Sequence, residues 1–170
     1  MKKLVLLSVF ILLLASCASM SSGPSASVTL SSISGSTATG TVTFAEKADG
    51  SVDVTVNLTG VPEGVHGFHI HDKGDCGDNG NAAGGHFNPA TVAHGAPSAD
   101  PHHAGDFGNV TADAAGVVHT MFNTHSITVA AGPNSVVGHA VILHANPDDL
   151  ATQPSGNAGP RIACGIVQMK

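Results

Sequence analysis

Val52-Asp53-Val54-Thr55-Val56-Asn57-Leu58 alternates apolar and polar residues with period two, as Thr41-Val42-Thr43-Phe44 does upstream. Between them lies Asp49-Gly50, a dipeptide that closes tight hairpins because both positions tolerate positive φ. The pair reads as two antiparallel strands. Val52, Val54, Val56 and Leu58 share one face and Asp53, Thr55 and Asn57 the other, so one face packs while the other meets water. Working outward, Gly60-Val61-Pro62-Glu63-Gly64 is a turn and residues 65–71 form the next strand. Residues 109–111, 117–122, 126–129, 139–144 and 162–168 resume the strand pattern, with Ala114-Ala115-Gly116 and Gly132-Pro133-Asn134 as turns. No amphipathic helix of useful length interrupts them. The spacing predicts an all-β domain over residues 28–170, a sandwich or a barrel.

Two stretches, residues 73–105 and 145–160, follow neither period. A long structureless loop inside a compact domain is normally functional, and a bound metal would supply the order that packing does not. The histidines fall there or beside it: Gly67-Phe68-His69-Ile70-His71, Gly85-His86-Phe87-Asn88-Pro89, His94-Gly95, and His103-Ala104-Gly105-Asp106, with His144 isolated downstream. His69 and His71 are two apart on a strand, so both imidazoles leave one face and make half of a planar nitrogen site suited to Cu(II). A single such pair is weak evidence, since a satisfied structural histidine is commoner. His86, His94, His103 and Asp106, at gaps of 8, 9 and 3, change the balance. Four nitrogen or oxygen donors in a glycine-rich loop suit a closed tetrahedral zinc site.

The ends and the composition bound the setting. Lys2-Lys3 followed by an apolar run from Leu4 to Leu14 reads as a targeting leader, too short to span a bilayer comfortably. It ends in Leu14-Ala15-Ser16-Cys17, so residues 1–16 read as a lipoprotein signal peptide and Cys17 as its lipidation site. The other reading is a secretory signal cut near Ala18, with Cys17 discarded. Both imply export. The lipid reading adds a membrane anchor on the periplasmic side of the cell envelope, at the outer membrane if the cell is Gram-negative. Residues 17–27, rich in Ser, Ala, Gly and Pro, read as the lipidated cysteine and a flexible leash. Three cysteines are odd in number, but giving Cys17 to lipid leaves Cys76 and Cys164 as a pair in an oxidising compartment. Without Lys2 and Lys3, four basic residues face twelve acidic ones, a net charge near −8. No basic patch exists to hold a phosphate backbone, which excludes nucleic acid as a partner.

The motifs GFHIH, GGHFNP, HG, HHAGDFGNVTAD, GHAVILH, DDL and GNAGPRIACG, in this order and at these gaps, resemble a copper/zinc superoxide dismutase of the bacterial lipoprotein form. The likeness runs from about Val28 to Gln168. It implies a flattened eight-stranded Greek-key β-barrel, immunoglobulin-like in its layering, with the site outside the barrel between two long loops. His69, His71, His86 and His144 would bind copper. His86, His94, His103 and Asp106 would bind zinc, so His86 would bridge both metals and also hold a proton for the product. Asp148 matches the carboxylate that links one ligand histidine of each metal. Arg161 matches the arginine that guides the anionic substrate, and Ser155 sits at the channel mouth. Cys76 and Cys164 match the disulfide pair. The implied activity is dismutation of superoxide to oxygen and hydrogen peroxide, with a homodimer as the protein assembly the family admits.

Some features depart from animal members. Cys76 lies nearer His71, and the segment after His144 lacks the Glu/Lys cluster that aids steering. His66, His102, His119, His125 and His139 fall outside the ligand set and read as structural or surface residues. The alternative to an enzyme is a non-catalytic copper/zinc-binding or copper-delivery domain on the same fold. Relatives of that kind commonly lack some copper ligands or the arginine, whereas this chain carries all of them.

Overall fold

The computed structural model describes residues 23–170. The leader, Cys17 and most of the leash lie outside the described residues. The strands are β1 (Ser25–Ser32), β2 (Thr39–Glu46), β3 (Val52–Thr59), β4 (Gly64–His71), β5 (Asp106–Ala112), β6 (Val118–Thr124), β7 (Ala140–His144), β8 (Arg161–Ile166) and the short β9 (Gln168–Met169). All pairings between them are antiparallel, in the order β5-β4-β7-β8-β1-β2-β3-β6, with β9 beside β1. Strand β1 joins two halves: residues 25–30 pair with β2, and Ser31 and Ser32 pair with Cys164 and Ala163 of β8. The result is a nearly closed eight-stranded barrel, open only along the seam between β5 and β6, as expected. A single 3-10 turn, Asn81–Ala83, is the only helical element among the described residues.

The β2–β3 hairpin closes where the Asp49-Gly50 signal placed it. Gly50 N–H donates to Lys47 O at 3.0 Å, and Asp49 Oδ1 accepts from Ser51 N at 3.0 Å. Val42, Phe44, Val54, Val56 and Leu58 fill the interior with Phe68, Ile70, Val141 and Leu143. Each fully buried side chain of this size stabilises the fold by about 1.5–3 kcal/mol. Inside β4 the alternation sorts two tasks: Phe68 and Ile70 enter the core, and His69 and His71 leave on the opposite face toward the loops.

Three expectations are corrected. The sheet begins at Ser25, so Ser25–Ser27 belong to β1 and not to the leash; Ala26 is wholly buried and continues the alternation of Val28 and Leu30 with a smaller side chain. Residues 126–129 are not a strand. Ile127 and Val129 are buried there, but Val129 N–H and Ala130 N–H donate to the Glu46 carboxylate, and only an isolated bridge joins Thr128 to Ser135. Burial produced the alternation without a ladder. The last expected strand breaks at Val167, whose backbone turns to His139 and Gly138 before β9 joins β1.

Candidate metal centre

Strand β4 delivers His69 and His71, β7 ends on His144, and β5 opens on Asp106. The remaining donors come from the irregular stretch between β4 and β5, where His86 is tied to β4 by a bridge with His71. His69, His71, His86 and His144 form one cluster, and His86, His94, His103 and Asp106 a second, with the donor atoms of each within 4.8 Å of one another and every residue buried. All seven residues expected from the sequence converge, and His86 belongs to both groups.

Hydrogen bonds fix which nitrogen of each ring is free. A neutral imidazole carries one proton, and where the protonated nitrogen donates to a carbonyl or carboxylate oxygen the other nitrogen keeps a lone pair. His71 Nδ1 donates to Gly84 O at 3.0 Å and His144 Nδ1 to Gly159 O at 3.2 Å. Their Nε2 atoms then face each other at 3.3 Å with two lone pairs and no proton between them. His69 Nε2 donates to Asp148 Oδ2 at 2.8 Å and His94 Nε2 to Asp148 Oδ1 at 3.0 Å, so one carboxylate orients a ring of each cluster. His103 Nε2 donates to Val92 O at 3.1 Å, which turns its Nδ1 lone pair onto Asp106 Oδ1, also at 3.1 Å. His86 Nδ1 lies 2.7 Å from the same oxygen. Three buried nitrogens have no hydrogen-bond partner: His69 Nδ1, His86 Nε2 and His94 Nδ1. His94 Nδ1 does lie 3.0 Å from Asp106 Oδ1, but without hydrogen-bond geometry. Orphaned buried nitrogens and opposed lone pairs are costly unless a cation sits among them. The donor set fits copper in the all-nitrogen cluster and zinc in the mixed one.

The electrostatics agree. Burial, reinforced by neighbouring histidines, holds His71 well below its ordinary value, lowers His86 to about 4 and lowers His144 to about 3. His69 is lowered by burial in spite of its contact with Asp148. These rings are neutral near pH 7, as ligation requires. Burial alone would raise Asp148 and Asp106. The hydrogen bond from His69 and the N–H of Leu150 instead bring Asp148 down to about 2, and contacts with His86, Gly95 N–H and His103 N–H bring Asp106 lower still. Both carboxylates are ionised.

Beside the first cluster opens a cleft of about 650 Å³, lined by His71, His86, His144, Gln153, Ser155 and Arg161 among others. Arg161 Nη2 donates to Gly84 O at 2.6 Å and Nη1 to Gly80 O. Gly84 O also receives His71 Nδ1–H, so the guanidinium and one donor ring share an anchor. The disulfide joins Cys76 to Cys164, with Cα atoms 5.8 Å apart, and ties this carbonyl-bearing loop to β8. A second groove of about 510 Å³, at the β5–β6 seam, lacks such a donor cluster, though Asp106 borders it.

The histidines outside the set divide. His119 and His125 are exposed. His66 is buried, with Nδ1 2.9 Å from His144 O and Nε2 2.8 Å from Pro62 O, a strut beneath a donor residue. His139 packs on Phe87 with its ring tilted and the centroids 4.1 Å apart, and its Nδ1 lies 3.3 Å from His71 O. Gly156 escaped the sequence reading: φ is +67°, and a Cβ there would fall 1.7 Å from Asp148 Oδ1, so only glycine lets the chain close over that carboxylate.

Comparison with known proteins agrees with this geometry. In the solved structures, "Crystal Structure Analysis of the clock protein EA4" is similar at 37% identity and a TM-score of 0.78, covering 86% of this chain and 94% of that one. The family model described as Copper/zinc superoxide dismutase (SODC) matches residues 38–167, from the turn before β2 to the end of β8 and every donor between. The chain belongs to the copper/zinc superoxide dismutase family.

Proposed function

We propose that this protein dismutes superoxide to oxygen and hydrogen peroxide. In this reading His69 Nδ1, His71 Nε2, His86 Nε2 and His144 Nε2 hold copper, and His86 Nδ1, His94 Nδ1, His103 Nδ1 and Asp106 hold zinc. The observation that carries it is the set of free nitrogens that converge in two clusters sharing His86, with the rings of His69, His71, His94, His103 and His144 each oriented by a hydrogen bond on the opposite nitrogen. Copper, when bound, would supply the one-electron couple that dismutation of two superoxide ions needs, and zinc would supply fixed positive charge without redox change. The residues do the rest. Arg161, anchored at the cleft, offers a permanent charge and fixed donors to a small anion. His86 can hold a proton at Nε2 while Nδ1 stays engaged on the other side, which supplies one of the two protons that hydrogen peroxide needs. Asp148 keeps His69 and His94 in the tautomers that ligation requires.

A second reading, prompted by the likeness to a structure named for a clock protein, is a copper/zinc-binding domain of this fold without turnover. One experiment separates them. The purified chain, loaded with both metals, should hold them in equal amounts and remove superoxide. His144→Ala should lose copper and activity and keep zinc; His94→Ala should lose zinc first. Full loading without dismutation would establish the second reading, and unchanged metal content in both variants would overturn the donor assignment.

The site of action is a proposal from sequence alone: Cys17 carries lipid, and the domain works in the envelope on a leash. Cys17→Ser should abolish lipid labelling and release the protein from the membrane fraction. Recovery of the unchanged chain as a soluble, unlabelled export product would refute the anchor.

A further inference from the structure

Gln153 makes a contact that the donor set does not require. Its side-chain Oε1 accepts from His94 N at 2.9 Å, and its Nε2 donates to His94 O at 2.8 Å and to Ala151 O at 3.2 Å. His94 lies 59 residues away in sequence, is buried, and belongs to no strand. The glutamine amide thus pairs with both backbone groups of His94, as a neighbouring strand would. Leaving those groups unpaired at a buried position would be costly. Asp148, five residues earlier on the same loop, holds the His94 ring at Nε2. Backbone and ring of one zinc donor are therefore both held by the segment that walls the cleft, since Gln153 itself lines it.

The segment is built to present that amide. Asp149 Oδ1 accepts from Ala151 N at 3.0 Å and Thr152 N at 2.8 Å, and Asp149 Oδ2 accepts from Thr152 Oγ1 at 2.6 Å. Gly156 N donates to Thr152 O at 2.7 Å and Asp149 N to Gly156 O at 2.8 Å, which closes the turn around Gln153.

We infer that Gln153 is a positioning residue, a latch that fixes the backbone of His94 and so holds His94 Nδ1 in the zinc donor set. By reciprocity, zinc bound at His94 fixes the cleft wall through the same latch. The inference rests on the metal reading above, and its test uses zinc alone, without turnover.

The metal-free full chain is titrated with zinc in competition with a chromophoric chelator, and amide exchange is followed over residues 149–160 with and without zinc. Gln153→Met keeps the volume and removes both bonds to His94 along with the one to Ala151 O. Gln153→Glu keeps an acceptor for His94 N but sets a carboxylate oxygen against His94 O. Both variants should bind zinc about 10-fold more weakly or worse, the usual consequence of losing a partner that orients a metal ligand. Glu should be no better than Met, and zinc should no longer protect residues 149–160 in either. Loss of thermal stability equal with and without zinc, at unchanged zinc affinity, would make Gln153 merely structural and overturn the latch. A wild type that binds no zinc would sink the metal reading and the inference with it.

Discussion

At the scale of single residues, Arg161 shows how a charge is kept useful. The described part of the chain otherwise offers only Lys47, Lys73 and Lys170 as basic side chains, and Lys47 is paired with Asp53 at 2.8 Å. Against a body this acidic, attraction of an anion must be local, and under the proposed function the pinned guanidinium at the cleft would provide it. Arg161→Ala should lower the superoxide rate about 10-fold or more, within the range that local steering supplies, with metal content unchanged. Arg161→Lys should keep more of the rate, because charge survives while the planar fork that serves Gly80 O and Gly84 O is lost. Rate measurement beside metal analysis decides it. Equal activity in the alanine variant would remove Arg161 from the mechanism and leave the donor set untouched.

At the scale of elements, β8 joins the loops to the barrel. It pairs with β7 and β1, starts at Arg161, and carries Cys164. The disulfide spans 88 residues, so cross-linking constrains the unfolded chain by about 4.6 kcal/mol in the chain-entropy account. The paired substitution Cys76→Ser with Cys164→Ser should reduce unfolding free energy by a similar amount, read from urea denaturation of the metal-free protein. It should also reduce the superoxide rate more than metal content, because the freed loop carries the carbonyls of Gly80 and Gly84 that hold Arg161. A variant with the wild-type urea midpoint would contradict the first expectation.

At the scale of the whole molecule, the clustered histidines make stability depend on pH. His86 and His144 sit near 4 and 3 in the folded chain, from an ordinary value of 6.5, chiefly through burial. Below pH 6.5 the unfolded chain takes up protons that the folded chain refuses, so stability rises with pH through that window and falls on acidification. Each such proton adds about 1.4 kcal/mol per pH unit to the slope. Asp148 acts in the same direction at lower pH: its stabilisation is complete above the usual carboxylate range and is lost as pH falls toward about 2. Urea unfolding of the metal-free chain from pH 7 to 4 should show the midpoint dropping steadily, and a flat profile would contradict neutral burial of the rings. With both metals bound, the fall should be delayed to lower pH, since ligation opposes protonation.

The barrel was legible because strands announce themselves locally. The alternation in β2 and β3 and the Asp49-Gly50 turn are set by neighbours in sequence, and so is the placement of His69 and His71 on one face of β4. The clustering of these seven side chains was legible because a metal site demands particular residue types, which the sequence carries at the gaps that the family resemblance implies. Local pattern failed where burial and pairing part company. Residues 126–129 alternate without forming a strand, and Ser25–Ser27 look like leash yet complete β1. What tertiary structure alone decided is the direction of each ring and the company of each backbone group. The carbonyls of Gly84, Gly159 and Val92 select the free nitrogen of His71, His144 and His103. Gln153 reaches His94 across 59 residues, and Gly156 makes room for Asp148. Such contacts depend on which loops the closed barrel brings together, and no period or composition within either loop encodes them.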